Sequence, residues 1–530
     1  ADGMVVDSLT EQFGIRSLEF SPEFGFKLNG KKIFLQGNAN HHDLGALGAT
    51  CYDKAIERMM LQLKSFGYNC IRCSHNPYSD SFARIADRVG ILVVDELTDK
   101  WSDNDYWGGR QPFTHIWHKL ITEWIKRDRN RPSIILWSLG NELQIREGWA
   151  GFEGTNDWGI TTYNIFNQLV KRWDHTRLTT VAMFPARAGA ITRHDKEFND
   201  YLVPPELACA TEVASFNYQS DKYDAYLKYR PDLILFQSEA ETSNLLQPYY
   251  NMDKERMVGI AYWGSVEYWG ESNKWPKKGW NYSFFEHTMR PYPQAYLIKT
   301  AFMPEIPEVH IGVVDAAGAE SVSWNDVIVG RMALNECWNH TPGSRRSLFT
   351  FTNAHSVELL VNGQSMGIQK NDTTRANLRN MIYWKDVPYG NGGSVVAIAR
   401  DKSGKEVARH RIETAGKAVA LRIEAETPTD WKADGMDLQY INVTVIDKKG
   451  RPVWDYNEPL TLQMEGAARL VALDNGDHYT DELFHGITSK RMYQGRMQII
   501  LRSDQEAGNV TVKISSAGLK GTLRLKTIKE

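Results

Sequence analysis

The sequence predicts a multidomain α/β plus all-β chain, a (β/α)8 TIM barrel followed by two immunoglobulin-like β-sandwich domains. Three observations predict it. Eight short apolar runs alternate with amphipathic stretches over roughly the first 300 residues, the size and rhythm of such a barrel. Helical periodicity then stops after Tyr296–Phe302, and "MPEIPEVH" reads as a linker. Beyond residue 308, apolar residues recur with period two, as in "SVELLVNG" and "SVVAIARDKSGKEVARHRIE".

The eight runs are 32–37, 69–74, 91–95, 133–139, 178–183, 211–217, 232–238 and 258–264. Each is rich in β-branched or aromatic residues and apolar on both faces, the pattern of parallel strands covered from both sides. Helical stripes fill the gaps at i, i+3, i+4, i+7: Ile56, Met59, Met60 and Leu63; Phe82, Ile85, Ala86 and Val89; Trp117, Leu120, Ile121 and Trp124; Phe166, Leu169, Val170 and Trp173. Gly67 and Gly90 follow two of these stripes, where a left-handed cap favours glycine. An open doubly wound sheet is the rival, and it lacks a glycine-rich dinucleotide loop here. A hairpin turn is expected at Asp401–Gly404 and a second junction at 424–435. The expected limits are 1–20 for the closing strand of a preceding β domain, 21–304 for the barrel, and 305–422 and 423–530 for the two sandwiches.

Composition narrows the function. Lys+Arg is 62 and Asp+Glu is 65, a net charge of −3 that argues against a broad nucleic-acid footprint. A 24% charged and 42% hydrophobic chain is an ordinary globular mixture, and no apolar run is long enough to span a bilayer. Five cysteines in 530 residues form no disulfide scaffold. Cys70 and Cys73 make a single CxxC on a strand, read as two buried thiols. Neither a targeting peptide nor a membrane partner is expected.

In such barrels chemistry gathers at the C-terminal strand ends. Those ends hold Asn40, His41, His42 and Asp43; Arg72, His75 and Asn76; Asp95 and Glu96; Asn141 and Glu142; Asn217 and Tyr218; Glu239; and Trp263. Glu142 and Glu239 each close a strongly apolar run, where a charge is costly unless paired or used. A carboxyl pair facing across a cleft is what glycoside hydrolysis needs. The alternative is that each glutamate simply pairs with a base such as Arg72. His41, His42 and His75 invite a metal-dependent hydrolase, but strands 5 and 8 end in Val181–Ala182–Met183 and Tyr262–Trp263 without ligands. Asp95 and Glu96 are a weak signal for a structural cation. Trp263, Trp269, Trp275 and Trp280 divide between core and sugar stacking, with Trp263 the foremost stacking candidate.

These residues carry a resemblance. "FGIRSLEF…FKLNGKKIFLQGNANHHDLGALG", "MMLQLKSFGYNCIRCSHNPYSDSFARIADRVGILVVDE", "RDRNRPSIILWSLGNE", "FQSEAETS" and "AYWG" occur in the order found in glycoside hydrolase family 2, and resemble its bacterial β-galactosidase-like members. The resemblance spans residues 13 to about 302. It implies an exo-acting retaining β-glycosidase, β-galactosidase first, with Glu142 as acid/base and Glu239 as nucleophile. It further implies that Asn141 binds the sugar 2-hydroxyl, that Arg72 and Tyr218 orient Glu239, and that His41, His75 and Trp263 line the subsite. "DELTDKW" lacks the histidine that helps hold magnesium in well-known relatives, so no metal and no cofactor is called for. Thr242 replaces a histidine usual three residues past the nucleophile. Asn273, Lys274, Lys277 and Lys278 are not the glucuronidase clamp, yet a basic cluster keeps a β-glucuronidase or another enzyme of acidic or sulfated polysaccharide as the alternative. A sugar-binding protein without catalysis is the alternative of another class. The implied partners are an oligo- or polysaccharide, a homo-oligomeric copy and preceding domains of the same protein. Exported bacterial relatives imply a periplasmic or secreted location.

Overall fold

The computed structural model describes residues 5–101, 112–143, 159–184, 203–242, 246–315, 320–324 and 327–529. Three short strands open the chain: β1 (Leu18–Ser21), β2 (Gly25–Leu28) and β3 (Lys31–Lys32), paired antiparallel. The strand at 18–21 therefore pairs inside this chain, and the expected limit at residue 20 falls within it.

Eight strands then close a barrel: β4 (Leu35–Asn40), β5 (Cys70–Cys73), β6 (Leu92–Glu96), β7 (Ile134–Asn141), β8 (Leu178–Met183), β9 (Val213–Asn217), β10 (Leu235–Ala240) and β11 (Gly259–Trp263). All eight expected runs become strands, but β4, β7 and β10 extend two or three residues further toward their C-termini. The extensions are buried and carry polar side chains: Asn38 and Asn40, Asn141, and Glu239. A rule that ends a strand where apolar residues stop misses polar side chains enclosed by the barrel. At Gly37 an added Cβ would sit 2.9 Å from that of Ala261, so glycine permits the approach of β4 to β11.

The helices follow from their stripes. In α1 (Asp53–Ser65), Ile56, Met59, Met60 and Leu63 are buried as expected. In α2 (Asp80–Val89), the Ser79 side chain accepts from Phe82 N–H, and Gly90 closes the helix at φ +76°. In α3 (Phe113–Asp128), the buried face is Ile121, Trp124 and Ile125, and Leu120 is exposed, so the expected stripe is rotated by a residue. α4 (Ile160–Trp173) buries Tyr163, Phe166 and Val170. No described helix is long and apolar enough to cross a membrane.

Two compact units divide the chain. One holds Ala1–Ala39, Asn69–Ala240 and Met252–Tyr262, with most of the barrel wall. The other holds Asn40–Tyr68, Glu241–Asn251 and Trp263–Glu530. Within the second, two pairs of four-stranded antiparallel sheets form β-sandwiches. The first has its core at Ile311, Trp338, Leu359 and Val395, the second at Trp431, Ile441, Ile499 and Val512. The hairpin expected at Asp401–Gly404 joins Ser394–Arg400 to Glu406–Glu413, with Gly404 at φ +87°. The strand Ala420–Ala425 pairs with Leu438–Ile446 in the second sandwich, so the expected limit at 422 falls inside a strand. A further apolar cluster joins Ala46, Leu47 and Ala55 to Leu438, Tyr440, Ala472 and Ile500.

Candidate active site

Six of the eight residues singled out by sequence meet at the C-terminal strand ends of the first unit: Arg72, His75, Asn141, Glu142, Tyr218 and Glu239. Arg72 is fully buried and lies at the centre. Its Nη1 donates to Glu239 Oε1 at 2.6 Å, its Nη2 to Asn141 Oδ1 at 2.9 Å, and its Nε and Nη2 to Glu96 Oε2 at 3.0 and 2.7 Å. Burial works against the guanidinium's charge, and the two carboxylates more than reverse this, raising its proton affinity further. Tyr218 Oη donates to the other oxygen of Glu239 at 2.6 Å. Both Glu239 oxygens are thus held by donors, which fixes the carboxyl's orientation.

Glu142 stands in different company. Its Oε1 accepts from Asn217 Nδ2 at 3.1 Å, and that amide also donates to Asn141 Oδ1 at 3.0 Å. Ser238 Oγ donates to Asn217 Oδ1 at 2.8 Å, which sets the amide's direction. The two glutamates are 5% and 3% exposed, so their charges are governed by these neighbours more than by water.

Local backbone irregularity aims these side chains. The β7–β8 register shifts between Ser138 and Asn141, and the β9–β10 register shifts between Gln237 and Glu239. Bulges of this kind redirect side chains at barrel rims. Glu142 (φ +49°) and Tyr218 (φ +60°) both occupy the left-handed region. Each costs about 1–3 kcal/mol and is held by tertiary hydrogen bonds. Glu142 N–H donates to Ala182 O at 2.7 Å, and Tyr218 N–H to Glu239 O at 2.8 Å.

Strand β6 shows the alternation of a strand at work. Glu96 faces the cluster, where it accepts from Arg72, from Ser138 Oγ at 2.7 Å and from His75 Nδ1 at 2.6 Å. His75 Nε2 is then the acceptor for Asn141 Nδ2 at 3.3 Å. Asp95 accepts instead from Trp124 Nε1 at 2.6 Å, on helix α3. The two acids therefore do not share a cation. Cys70 and Cys73 are free and buried, and burial pushes the Cys70 thiol up to about 12. His41 and Trp263 lie in the second unit, where their rings meet edge-to-face at 5.0 Å. There too Thr242 Oγ1 donates to Tyr282 O, and Lys277 donates to Asn273 Oδ1 at 3.1 Å while lying over the Tyr282 ring.

Sequence reasoning places Asn217 and Glu96 at strand ends but gives neither a role beside the two glutamates. Both close barrel strands, as the chosen residues do, but a terminal amide or acid gives no sign of which neighbour it will meet. Asn217→Ala would leave Glu142 and Asn141 short of a buried donor, at roughly 1–3 kcal/mol. The expected result is a 10- to 100-fold fall in kcat/KM, at about 1.4 kcal/mol per decade, with near-wild-type circular dichroism.

Glu96 also predicts how the fold responds to acid. Burial alone would raise its carboxyl, but Arg72, His75 and Ser138 outweigh burial and hold it below its ordinary value of 4.5. The folded state therefore binds this proton more weakly than the unfolded chain. Its contribution is complete above that ordinary value and is lost as pH falls through the lowered one. Denaturant midpoints should drop on acidification through this window. Glu96→Gln should lower stability by about 3 kcal/mol at neutral pH and flatten the acid limb.

With this geometry in place, comparison with known proteins is informative. Residues 23–256 match the model "Glycosyl hydrolases family 2, TIM barrel domain", and residues 421–523 match "Glycoside hydrolase family 2 C-terminal domain 5". Residues 343–408 match a domain of unknown function, DUF4982. A β-galactosidase of Bacteroides ovatus is 27% identical over 97% of this chain and 64% of its own length. A Formosa agariphila protein named "Putative beta-glucuronidase" is 44% identical over 99% of this chain and 51% of its own. A solved glycosyl hydrolase family 2 structure from Bacteroides cellulosilyticus superposes with TM-score 0.81 at 29% identity, over 97% of this chain and 64% of that one. The chain thus spans about half to two thirds of the length of these relatives. Two separate family models, in barrel and C-terminal module, and relatives matched along nearly the whole sequence lead to one statement: the chain belongs to glycoside hydrolase family 2.

Proposed function

We propose that this chain carries the catalytic barrel of an exo-acting, retaining β-glycosidase, with β-galactosides as its first substrate class. Glu142 protonates the departing glycosidic oxygen while Glu239 attacks the anomeric carbon, forming a glycosyl-enzyme ester. Glu142 then takes a proton from the water that hydrolyses it. Arg72 and Tyr218 aim Glu239, and Asn141 binds the sugar 2-hydroxyl. His75 borders the sugar subsite.

The observation that carries this reading is the contrast between two buried carboxyls in one network. Glu239 is gripped on both oxygens by Arg72 and Tyr218, while Glu142 accepts from a neutral amide. Opposed environments of this kind divide nucleophile from acid. Double displacement further requires a carboxyl separation of about 5–5.5 Å, against about 6.5–9.5 Å for inversion.

A panel of nitrophenyl β-galactoside, β-glucuronide, β-mannoside and fucoside tests the proposal. Release from the galactoside with initial retention of the β-anomer, followed by NMR, is expected. An α-anomer as first product would overturn the mechanism, and no release from any sugar would favour a non-catalytic carbohydrate binder. Preference for the glucuronide is the second reading, on an acidic or sulfated polysaccharide. It is favoured by the 44% identical relative of that name. A homo-oligomer and preceding domains of the same protein complete the proposed partners.

A further inference from the structure

Within the second unit, three side chains that the proposed reaction does not use converge in a buried knot. Glu267 lies four residues beyond β11, and His287 lies in the segment that follows the short strand pair Tyr268–Trp269 and Gly279–Trp280. His478 comes from the second sandwich, shortly after the strand Ala468–Asp474. Glu267 Oε2 is 3.1 Å from His287 Nδ1 and 3.1 Å from His478 Nε2. All three side chains are buried, and one ligand atom of each lies within 4.8 Å of the others.

We propose that Glu267, His287 and His478 bind a divalent transition-metal ion of the zinc type, which ties the segment after the barrel to the second sandwich.

Three features point to a metal rather than to hydrogen bonds alone. First, the spacing fits. Zinc lies at about 2.0–2.2 Å from nitrogen and oxygen ligands, which in a tetrahedron places them about 3.3 Å apart. Second, the outer contacts of a metal site are in place. His287 Nε2 donates to Asp474 Oδ1 at 2.9 Å, so in the neutral ring Nδ1, which faces Glu267 Oε2 at 3.1 Å, carries the lone pair that an ion needs. Tyr292 Oη donates to Glu267 Oε1 at 2.6 Å and the His287 N–H to Oε2 at 3.2 Å, so both oxygens are oriented and Oε2 keeps a further lone pair for the ion. A carboxylate behind a ligating histidine fixes its tautomer and raises its basicity. Third, His478 is buried, and neither of its ring nitrogens makes a hydrogen bond. Its Nε2 faces Glu267 at 3.1 Å outside hydrogen-bond geometry, an arrangement that suits coordination.

Charge and cover agree. Glu267 and Asp474 bring two negative charges into a buried site, and a divalent ion with two neutral imidazoles cancels them. The Trp269 ring lies 4.6 Å from the His287 ring and 4.9 Å from that of His478, which shields the knot. Two imidazoles and one carboxylate favour zinc, cobalt or nickel over magnesium or calcium, which prefer oxygen.

The test uses the whole chain, stripped with chelator, dialysed against zinc and then against buffer. About one zinc per chain should remain by elemental analysis. Zinc K-edge absorption should show two imidazoles and oxygen in the remaining shell. Cobalt in place of zinc should give visible bands of a low-coordinate site. His478→Gln and Glu267→Gln should each weaken retention by at least about tenfold, and zinc should raise the melting temperature of wild type and not of His478→Gln. His410→Gln, at a separate histidine–glutamate cluster with His310 and Glu336, should retain zinc as wild type does. Less than a tenth of an equivalent, fewer than two imidazoles on the wild-type chain, or loss in His410→Gln instead would each overturn the assignment. The absorption measurement on wild type decides the matter even if a variant does not fold.

Discussion

Glu239→Gln is expected to lower turnover of the preferred nitrophenyl glycoside by about 10⁴–10⁶-fold, the scale on which loss of a covalent nucleophile is felt. The amide keeps the volume and can still accept from Tyr218 or Arg72, so the fold should survive. What disappears is the negative charge proposed to attack the anomeric carbon, which also balances one side of Arg72. Arg72 then has Glu96 as its remaining anionic partner, and its bond to position 239 weakens from an ion pair to a cation–amide hydrogen bond. Initial rates, mass spectrometry for the glycosyl-enzyme ester, and a thermal melt separate lost chemistry from lost structure. A variant within tenfold of wild-type turnover would remove Glu239 from the nucleophile's role.

Glu142→Ala is expected to be the second largest effect and to depend on the leaving group. General acid–base catalysis contributes about 10²–10⁴-fold, so glycosides with poor leaving groups should lose on that order. Dinitrophenyl glycosides need no protonation to depart and should still form the ester. Its hydrolysis, deprived of the base, should then limit the rate and give a burst with lowered KM. Equal losses across leaving groups would mean that Glu142 is a structural hydrogen-bond acceptor for Asn217. The shape of the plot against leaving-group pKa therefore says more than any single rate.

Much of this protein was legible in local pattern. Stripes at 3.6-residue spacing found α1 to α4, and eight apolar runs found the barrel, because each depends on residues close in sequence. The ends of those runs led to Glu142 and Glu239, since an acid closing an apolar strand has few inexpensive explanations. The same logic stopped too early on β4, β7 and β10, where barrel-facing Asn and Glu continue the ladder.

The residue order alone determined that a barrel forms, that two β-sandwiches follow, and that two carboxyls sit at strand ends. Barrel closure decided the rest. It placed β7 and β10 three positions apart round the ring, and bulges and left-handed residues turned their ends so that Asn217 bridges Asn141 to Glu142 while Arg72 joins Glu96 to Glu239. In the second unit, His287 and His478 are 191 positions apart in the chain, yet both lie 3.1 Å from one carboxylate oxygen. Periodicity reports which side of an element is buried. Which polar groups meet there depends on long-range packing, and no spacing along the chain encodes it.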